Sequence, residues 1–166
     1  MIAMKFGGSS VGTPERMQEV ARIVRSFRRK KPSVVISALQ GVTDILIQTA
    51  QDFLCRRKAQ GEKNFQTLSE RHLSFLKDII RSSSDRKTTE IKITALLHQL
   101  REVLDGVYLL RELSPKSLAL ISSFGERLSV PLLAVVLRDM GVPAHDFDAT
   151  ELVATDYNFL TASVDM

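Results

Sequence analysis

Residues 4–12 read Met4-Lys5-Phe6-Gly7-Gly8-Ser9-Ser10-Val11-Gly12, and the change of character along them decides the architecture. An apolar run from Met1 to Met4 leads through Lys5 and Phe6 into paired glycines, two serines and a third glycine, after which Thr13-Pro14-Glu15-Arg16 opens a helix. The pattern predicts a strand, a tight turn and a helix. Without Cβ atoms, Gly7 and Gly8 can adopt positive φ and bring backbone amides against a ligand. Ser9 and Ser10 add hydroxyl donors. Oriented amides beside one lysine make a cradle for phosphate. Lys5 precedes the glycines at the strand end, whereas the P-loop lysine follows them on the helix side, so a different nucleotide-handling fold is implied. The same residues also fit an ordinary strand-to-helix turn with a surface lysine, and the later stretches decide between the two.

Working outward, Thr13 suits an N-cap and Pro14 the first helical position, and Met17, Val20, Ala21, Val24 and Phe27 recur at helical spacing. This predicts a helix over about 14–29. Ser33-Val34-Val35-Ile36-Ser37 then reads as a short strand covered on both faces. Strand, helix and strand form a βαβ unit, so the strands are expected to be parallel. Loops leaving the carboxyl ends of parallel strands share one edge, which places Lys5 to Thr13 and Ser37 to Thr43 at a common crevice. Gly41 and the hydroxyls make the second loop another ligand-facing turn, with Thr43 or Asp44 also suited to cap the next helix.

From Ile45 to about Tyr108 the spacing is helical, in three pieces: the first ending near Gly61, the second stopping at Ser82-Ser83-Ser84-Asp85, the third running through Leu104 to Tyr108. His72 and His98 lack partners at metal spacing and read as structural or solvent-facing. Cys55, beside Phe53 and Leu54, reads as a small buried hydrophobe. Ser114-Pro115 opens another helix, which Pro131 is expected to bend or break. Within it, Ser122-Ser123-Phe124-Gly125-Glu126-Arg127-Leu128-Ser129 offers a glycine for close approach and an anion, Glu126, which could also pair with a nearby basic residue. Val142 to Asp148 reads as a third parallel strand with a loop, and Glu151 to Ala154 as a short helical piece.

The composition is that of an ordinary globular chain, with 44% hydrophobic residues among 166 and a net charge of +4. No apolar run approaches the roughly 18 residues of a membrane span, so neither a membrane helix nor a signal peptide is expected. A lone cysteine excludes an internal disulfide and suits a reducing cytoplasm. The basic runs Arg28-Arg29-Lys30-Lys31 and Arg56-Arg57-Lys58 fall at helix ends, where cations favour the helix dipole. With eight Phe, two Tyr and no Trp there is little for base stacking, and no nucleic-acid partner is expected.

Three stretches in this order resemble the aspartokinases of the amino-acid kinase superfamily. Lys5-Phe6-Gly7-Gly8-Ser9-Ser10-Val11 is similar to the family's opening Lys-Phe-Gly-Gly-Thr-Ser-Val, with Ser9 keeping the hydroxyl of the usual Thr. Val34 to Asp44 resembles the second family segment and Ser123-Phe124-Gly125-Glu126-Arg127-Leu128-Ser129 the third; Thr155-Asp156-Tyr157-Asn158-Phe159 and the Ala162 to Asp165 tail are similar less specifically. The resemblance implies a three-layer αβα fold with a mainly parallel sheet, carbamate kinase-like, here incomplete and with a helical insertion over about 45–110. It implies transfer of the ATP γ-phosphoryl group to the side-chain carboxylate of L-aspartate, at the head of lysine, threonine and methionine synthesis. By similarity Lys5 is the catalytic cation, Lys5, Gly7, Gly8 and Ser9 hold the nucleotide phosphates, and Ser37, Thr43 and Glu126 contact aspartate. Mg2+ comes with ATP, and no protein metal site is expected.

The family's catalytic domains are longer than this chain, and their adenine site and regulatory domains lie beyond it. Residues 1–166 are therefore expected to be the amino-terminal portion of such a domain, inactive alone, cytoplasmic, and part of a homo-oligomer when intact. Other readings are a related kinase with a different acceptor, the kinase part of a bifunctional aspartokinase/homoserine dehydrogenase, and a noncatalytic binding module built on half the fold.

Overall fold

The computed structural model describes residues 2–80, 83–156, 158–159 and 161–164. Met1, Ser82, Tyr157 and Asp165 of the stretches quoted above lie outside them. Strand β1 (Ala3–Phe6) is followed by a single-turn helix α1 (Gly8–Val11), helix α2 (Pro14–Ser26) and strand β2 (Ser33–Ile36). The strands pair in parallel, Ala3 opposite Ser33 and Phe6 opposite Ile36, and Ser37 N donates to the Phe6 carbonyl at 3.1 Å to extend the ladder. Four long helices follow: α3 (Val42–Leu54), α4 (Lys58–Ile79), α5 (Ser83–Leu110) and α6 (Pro115–Asp139). The βαβ unit and the helical middle are thus where the periodicities put them.

Alternation along the strands sets the layers. Met4 and Phe6 pack against the helical core, while Ala3, Lys5, Ser33 and Val35 face the other way, Val35 with 59% of its surface exposed. Successive side chains of a strand point to opposite faces, so one face of the sheet is covered by helices and the other is open. Helix α2 begins as expected: the Thr13 hydroxyl accepts from Arg16 N, and Met17, Val20, Ala21 and Val24 are buried. Phe27, the last member of the predicted stripe, falls beyond the helix and is exposed.

Several expectations are corrected. Gly61 does not end a helix; it lies inside α4, where a Cβ would come 2.5 Å from the Phe53 ring, so it is the point at which α4 crosses that ring. Cys55 is exposed, because it caps the end of α3 as the chain turns outward. Helix α6 runs unbroken through Pro131; burial of Leu128, Leu132, Leu133, Val135 and Val136 around it outweighs one missing backbone hydrogen bond. By length and composition α6 could cross a membrane, yet two thirds of its apolar window is buried inside the fold, as in a core helix. It is closed off after its C-cap, Met140, by Gly141, whose φ of +75° lets Gly141 N and Val142 N reach back to the carbonyls of Arg138 and Leu137.

The predicted third strand over residues 142–148 is not formed. The two-stranded sheet accepts no further partner among the described residues, and this segment is held by side chains instead. Arg138 Nη1 donates to the Ala144 carbonyl at 3.0 Å, Lys92 pairs with Asp146 at 2.5 Å and Arg127 with Asp148 at 2.7 Å. Downstream, a short 3-10 turn occupies Ala149–Glu151, slightly ahead of the predicted piece.

The basic run at 56–58 lies between two helices: Arg56 and Arg57 follow the C-cap of α3, the helix end where its dipole favours cations, while Lys58 opens α4. Arg57 also pairs with the buried Asp52 at 2.8 Å, and Arg56 and Lys58 lie over the Tyr108 ring.

His72 is fully buried on α4. Its Nδ1 lies 2.8 Å from the Leu68 carbonyl, which can only accept, so Nδ1 carries the proton and the Nε2 lone pair is left without a partner. Burial outweighs that hydrogen bond and lowers the pKa to about 4. An unfolded histidine titrates near 6.5, so between about 6.5 and about 4 the unfolded chain binds the extra proton. Stability is then fully present above the upper limit and falls with decreasing pH, with a slope approaching about 1.4 kcal/mol per pH unit. Denaturant titrations across this window should show that slope in the wild type and a flatter dependence in His72→Met.

Candidate functional site

Three segments distant in sequence meet at Ala38. From one side comes the turn after β1: a Cβ on Gly8 would stand 2.8 Å from the Ala38 carbonyl oxygen. From the other comes α6: a Cβ on Gly125 would stand 2.7 Å from Ala38 Cβ. Both distances are closer than side-chain atoms tolerate, so glycine is required at each for steric reasons. Gly7 is extended, at φ −80° and ψ 168°, with nothing near its Cβ position. The expected positive φ at the paired glycines is therefore corrected: close approach, at Gly8, is what demands glycine there. Among the described residues, the glycines with positive φ are Gly41 and Gly141.

Helix α6 presents one face to the loop after β2. Residues three and four apart share a helix face, and Gly125, Glu126 and Ser129 do so here. Glu126 Oε1 accepts from Ala38 N at 3.2 Å, and Ser129 Oγ donates to the Ser37 carbonyl at 2.9 Å. Two successive polar backbone groups are thereby satisfied by two α6 side chains. Ser129 is buried, whereas Glu126 stays exposed with no cation paired to it among the described residues. The alternative in which Glu126 pairs with a basic residue does not hold, because its neighbour Arg127 is committed to Asp148.

The remaining predicted residues divide. Gly7, Gly8 and Ser9 form the opening of α1, where first-turn amides lack intrahelical acceptors, and the Ser9 carbonyl accepts from Arg16 Nη1 at 2.8 Å. Ser37 is half-buried at the carboxyl end of β2. Thr43 lies exposed in the first turn of α3; the N-cap is Gly41, at φ +78°, so neither Thr43 nor Asp44 caps that helix as expected. Val42 N is tied to the Leu39 carbonyl at 2.9 Å and Ile45 N to Gly41 at 3.2 Å, leaving the amides of Thr43 and Asp44 directed out of the helix start. The Lys5 side chain extends from β1 on the open sheet face without a hydrogen bond or ion pair among the described residues. Gly8, Ser37 and Glu126 are directly linked around Ala38; Lys5 and Thr43 border the same strand-end edge, one residue before and a few residues after the Phe6 to Ser37 hydrogen bond.

Sequence reasoning passed over Ala38, Arg127 and Asp148. Arg127 Nε donates to Asp148 Oδ2 at 2.7 Å, Nη2 to Gln99 Oε1 at 3.1 Å, and its guanidinium lies 4.5 Å from the Phe124 ring centre. Burial opposes ionisation of Asp148, but hydrogen bonds from Thr150 and the Arg127 cation outweigh it and hold the carboxyl below the usual range. A cleft of about 260 Å³ opens at this pair and at Lys92–Asp146. Its cations are already matched by its own carboxylates, and none of the residues around Ala38 line it.

An exposed carboxylate, a half-buried serine and a glycine turn thus meet at Ala38, with a lysine on the preceding strand. The comparisons agree on the class. The model of the amino acid kinase family matches residues 1–163, and the chain belongs to that family. Within it the chain is similar to aspartokinases: 36% identical over 163 residues to aspartokinase 3, chloroplastic, of Arabidopsis thaliana, covering 97% of this chain and 28% of that protein. It is 32% identical to the aspartokinase of Chlamydia muridarum, covering 99% and 34%. Its fold matches E. coli aspartokinase III in complex with aspartate and ADP at a TM-score of 0.85 and 25% identity, covering 99% of this chain and 35% of the other. The chain thus spans about a third of the length of these relatives.

The steric account of Ala38 can be tested by adding and then removing one carbon. Gly125→Ala should destabilise the fold by about 1–3 kcal/mol. The double variant Gly125→Ala with Ala38→Gly should recover part of that loss in the denaturation midpoint.

Proposed function

We propose that residues 1–166 form the amino-terminal portion of an aspartokinase catalytic domain, with the helical segment of about 45–110 as its insertion. The reaction is transfer of the ATP γ-phosphoryl group to the side-chain carboxylate of L-aspartate, giving 4-phospho-L-aspartate for lysine, threonine and methionine synthesis. The observation that carries this reading is the state of Glu126. One carboxylate oxygen is held by the Ala38 amide, and no cation among the described residues neutralises the group. A substrate α-ammonium supplies that cation. In this reading Ser37, on the same loop, and Thr43, at the following helix start, donate to the rest of the amino acid.

An aspartate carboxylate titrates near 4 and is already ionised at neutral pH, so the nucleophile needs no general base. The barrier is electrostatic: two anions must meet while charge develops on the transferring phosphoryl group. In this reading Lys5 and the amides of Gly7, Gly8 and Ser9 counter that charge. In this reading Mg2+ comes with the nucleotide. The open sheet face at Val35 supports contact with further protein, in the same chain or in a homo-oligomer. The free Cys55 suits a cytoplasmic setting.

Glu126→Gln keeps an oxygen for the Ala38 amide and removes the charge. In the protein expressed from its natural reading frame, calorimetry should show aspartate binding weakened about tenfold or more, with ATP affinity nearly unchanged. Equal losses for both ligands would overturn the assignment. Lys5→Met should lower kcat by about a hundred- to a thousandfold in a coupled ADP-release assay. The isolated 166-residue chain should show no turnover with ATP and aspartate.

A further inference from the structure

Arg127 follows Glu126 immediately, and successive helical side chains project about 100° apart. Glu126 therefore reaches the loop after β2 while Arg127 reaches the segment that follows α6. That second side chain is held more firmly than the first. The side chain is one-fifth exposed, and its guanidinium lies against the Phe124 ring, donates to Gln99 on α5 and pairs with Asp148. Asp148 is itself pre-oriented: its other oxygen accepts from Thr150 N at 3.0 Å and from Thr150 Oγ1 at 2.7 Å. The segment bearing Asp148 is fastened twice more, by Lys92 to Asp146 and by Arg138 to the Ala144 carbonyl.

Resting on the aspartokinase reading above, we infer that Arg127 is a positioning residue for Glu126. The clamp formed by Phe124, Gln99 and Asp148 fixes the turn of α6 that aims the Glu126 carboxylate at Ala38 N and at the substrate ammonium. Arg127 itself touches no substrate. An arginine is required because its planar fork addresses Asp148 and Gln99 from two nitrogens while its face rests on an aromatic ring; a lysine ammonium can do only one of these. The consequence is specific to the amino-acid side of the site, since the nucleotide-facing turn at Gly7 to Ser9 has no part in the clamp.

The test is a double-mutant cycle on the protein expressed from its natural reading frame, with KM for aspartate, KM for ATP and kcat measured for each variant over a wide range of aspartate. Arg127→Lys should raise KM for aspartate about tenfold and leave KM for ATP within about twofold. Asp148→Asn, which keeps an oxygen for Thr150, should do the same to a smaller extent and serves where the lysine variant folds poorly. In a Glu126→Gln background, either change should add little, because the group being aimed has lost its charge. Full additivity, or equal rises in both KM values, would overturn the positioning role while leaving the function standing. If Glu126→Gln alone spares aspartate binding, the functional reading itself fails.

Discussion

Ala38, two residues beyond β2, is wedged between two glycines, and the meeting of the strand ends with α6 depends on that fit. Gly8 brings the first turn onto its carbonyl, and Gly125 brings α6 onto its methyl. Protein interiors are close-packed, so a single added carbon on any of the three would push a segment away. With the three in contact, the ends of both strands, the opening of α1 and the middle of α6 converge. Glu126 and Ser129 then complete the junction by satisfying the backbone of Ala38 and Ser37.

The electrostatics around this junction are organised by exclusion. The cations nearest α6 and the segment after it are committed: Arg127 to Asp148, Lys92 to Asp146, Arg138 to a carbonyl. On the far helices, Arg101 is held by Glu62 and Asp105 between the rings of Phe53 and Phe65, and its guanidinium is made still harder to deprotonate by those hydrogen bonds. Glu126 is left exposed with a backbone amide as its protein partner. Among the described residues neither this carboxylate nor the Lys5 side chain on the open sheet face has an ion-pair partner, and the proposed function rests on that pair of unmatched charges.

The helical middle serves this edge indirectly. Helices α3, α4 and α5 form a packed block whose internal fastenings are apolar contact and the buried Asp52, which gathers Arg57, Gln48 and Asn64 at the α3 to α4 turn. His72 adds a buried neutral imidazole to the same block. The block supports α6, and α6 carries Gly125, Glu126, Arg127 and Ser129 to the strand ends.

What the sequence determined by itself was the local grammar and the chemistry of its punctuation. The parallel βαβ unit, the Thr13 and Ser114 caps and the long helices follow from periodicity and capping, which depend on neighbours within a few residues. The family resemblance followed from three ordered motifs. Only the tertiary structure decided that Gly8 and Gly125 are there for closeness to Ala38, that Cys55 faces solvent, that Pro131 leaves α6 whole, and that residues 142–148 are strapped by side chains rather than paired as a strand. It alone joined Arg127 to Asp148 and Glu126 to Ala38, partners 21 and 88 residues apart. The physical reason is that local propensity fixes which backbone a segment prefers, whereas steric fit and charge pairing between distant segments exist only once the chain has closed on itself.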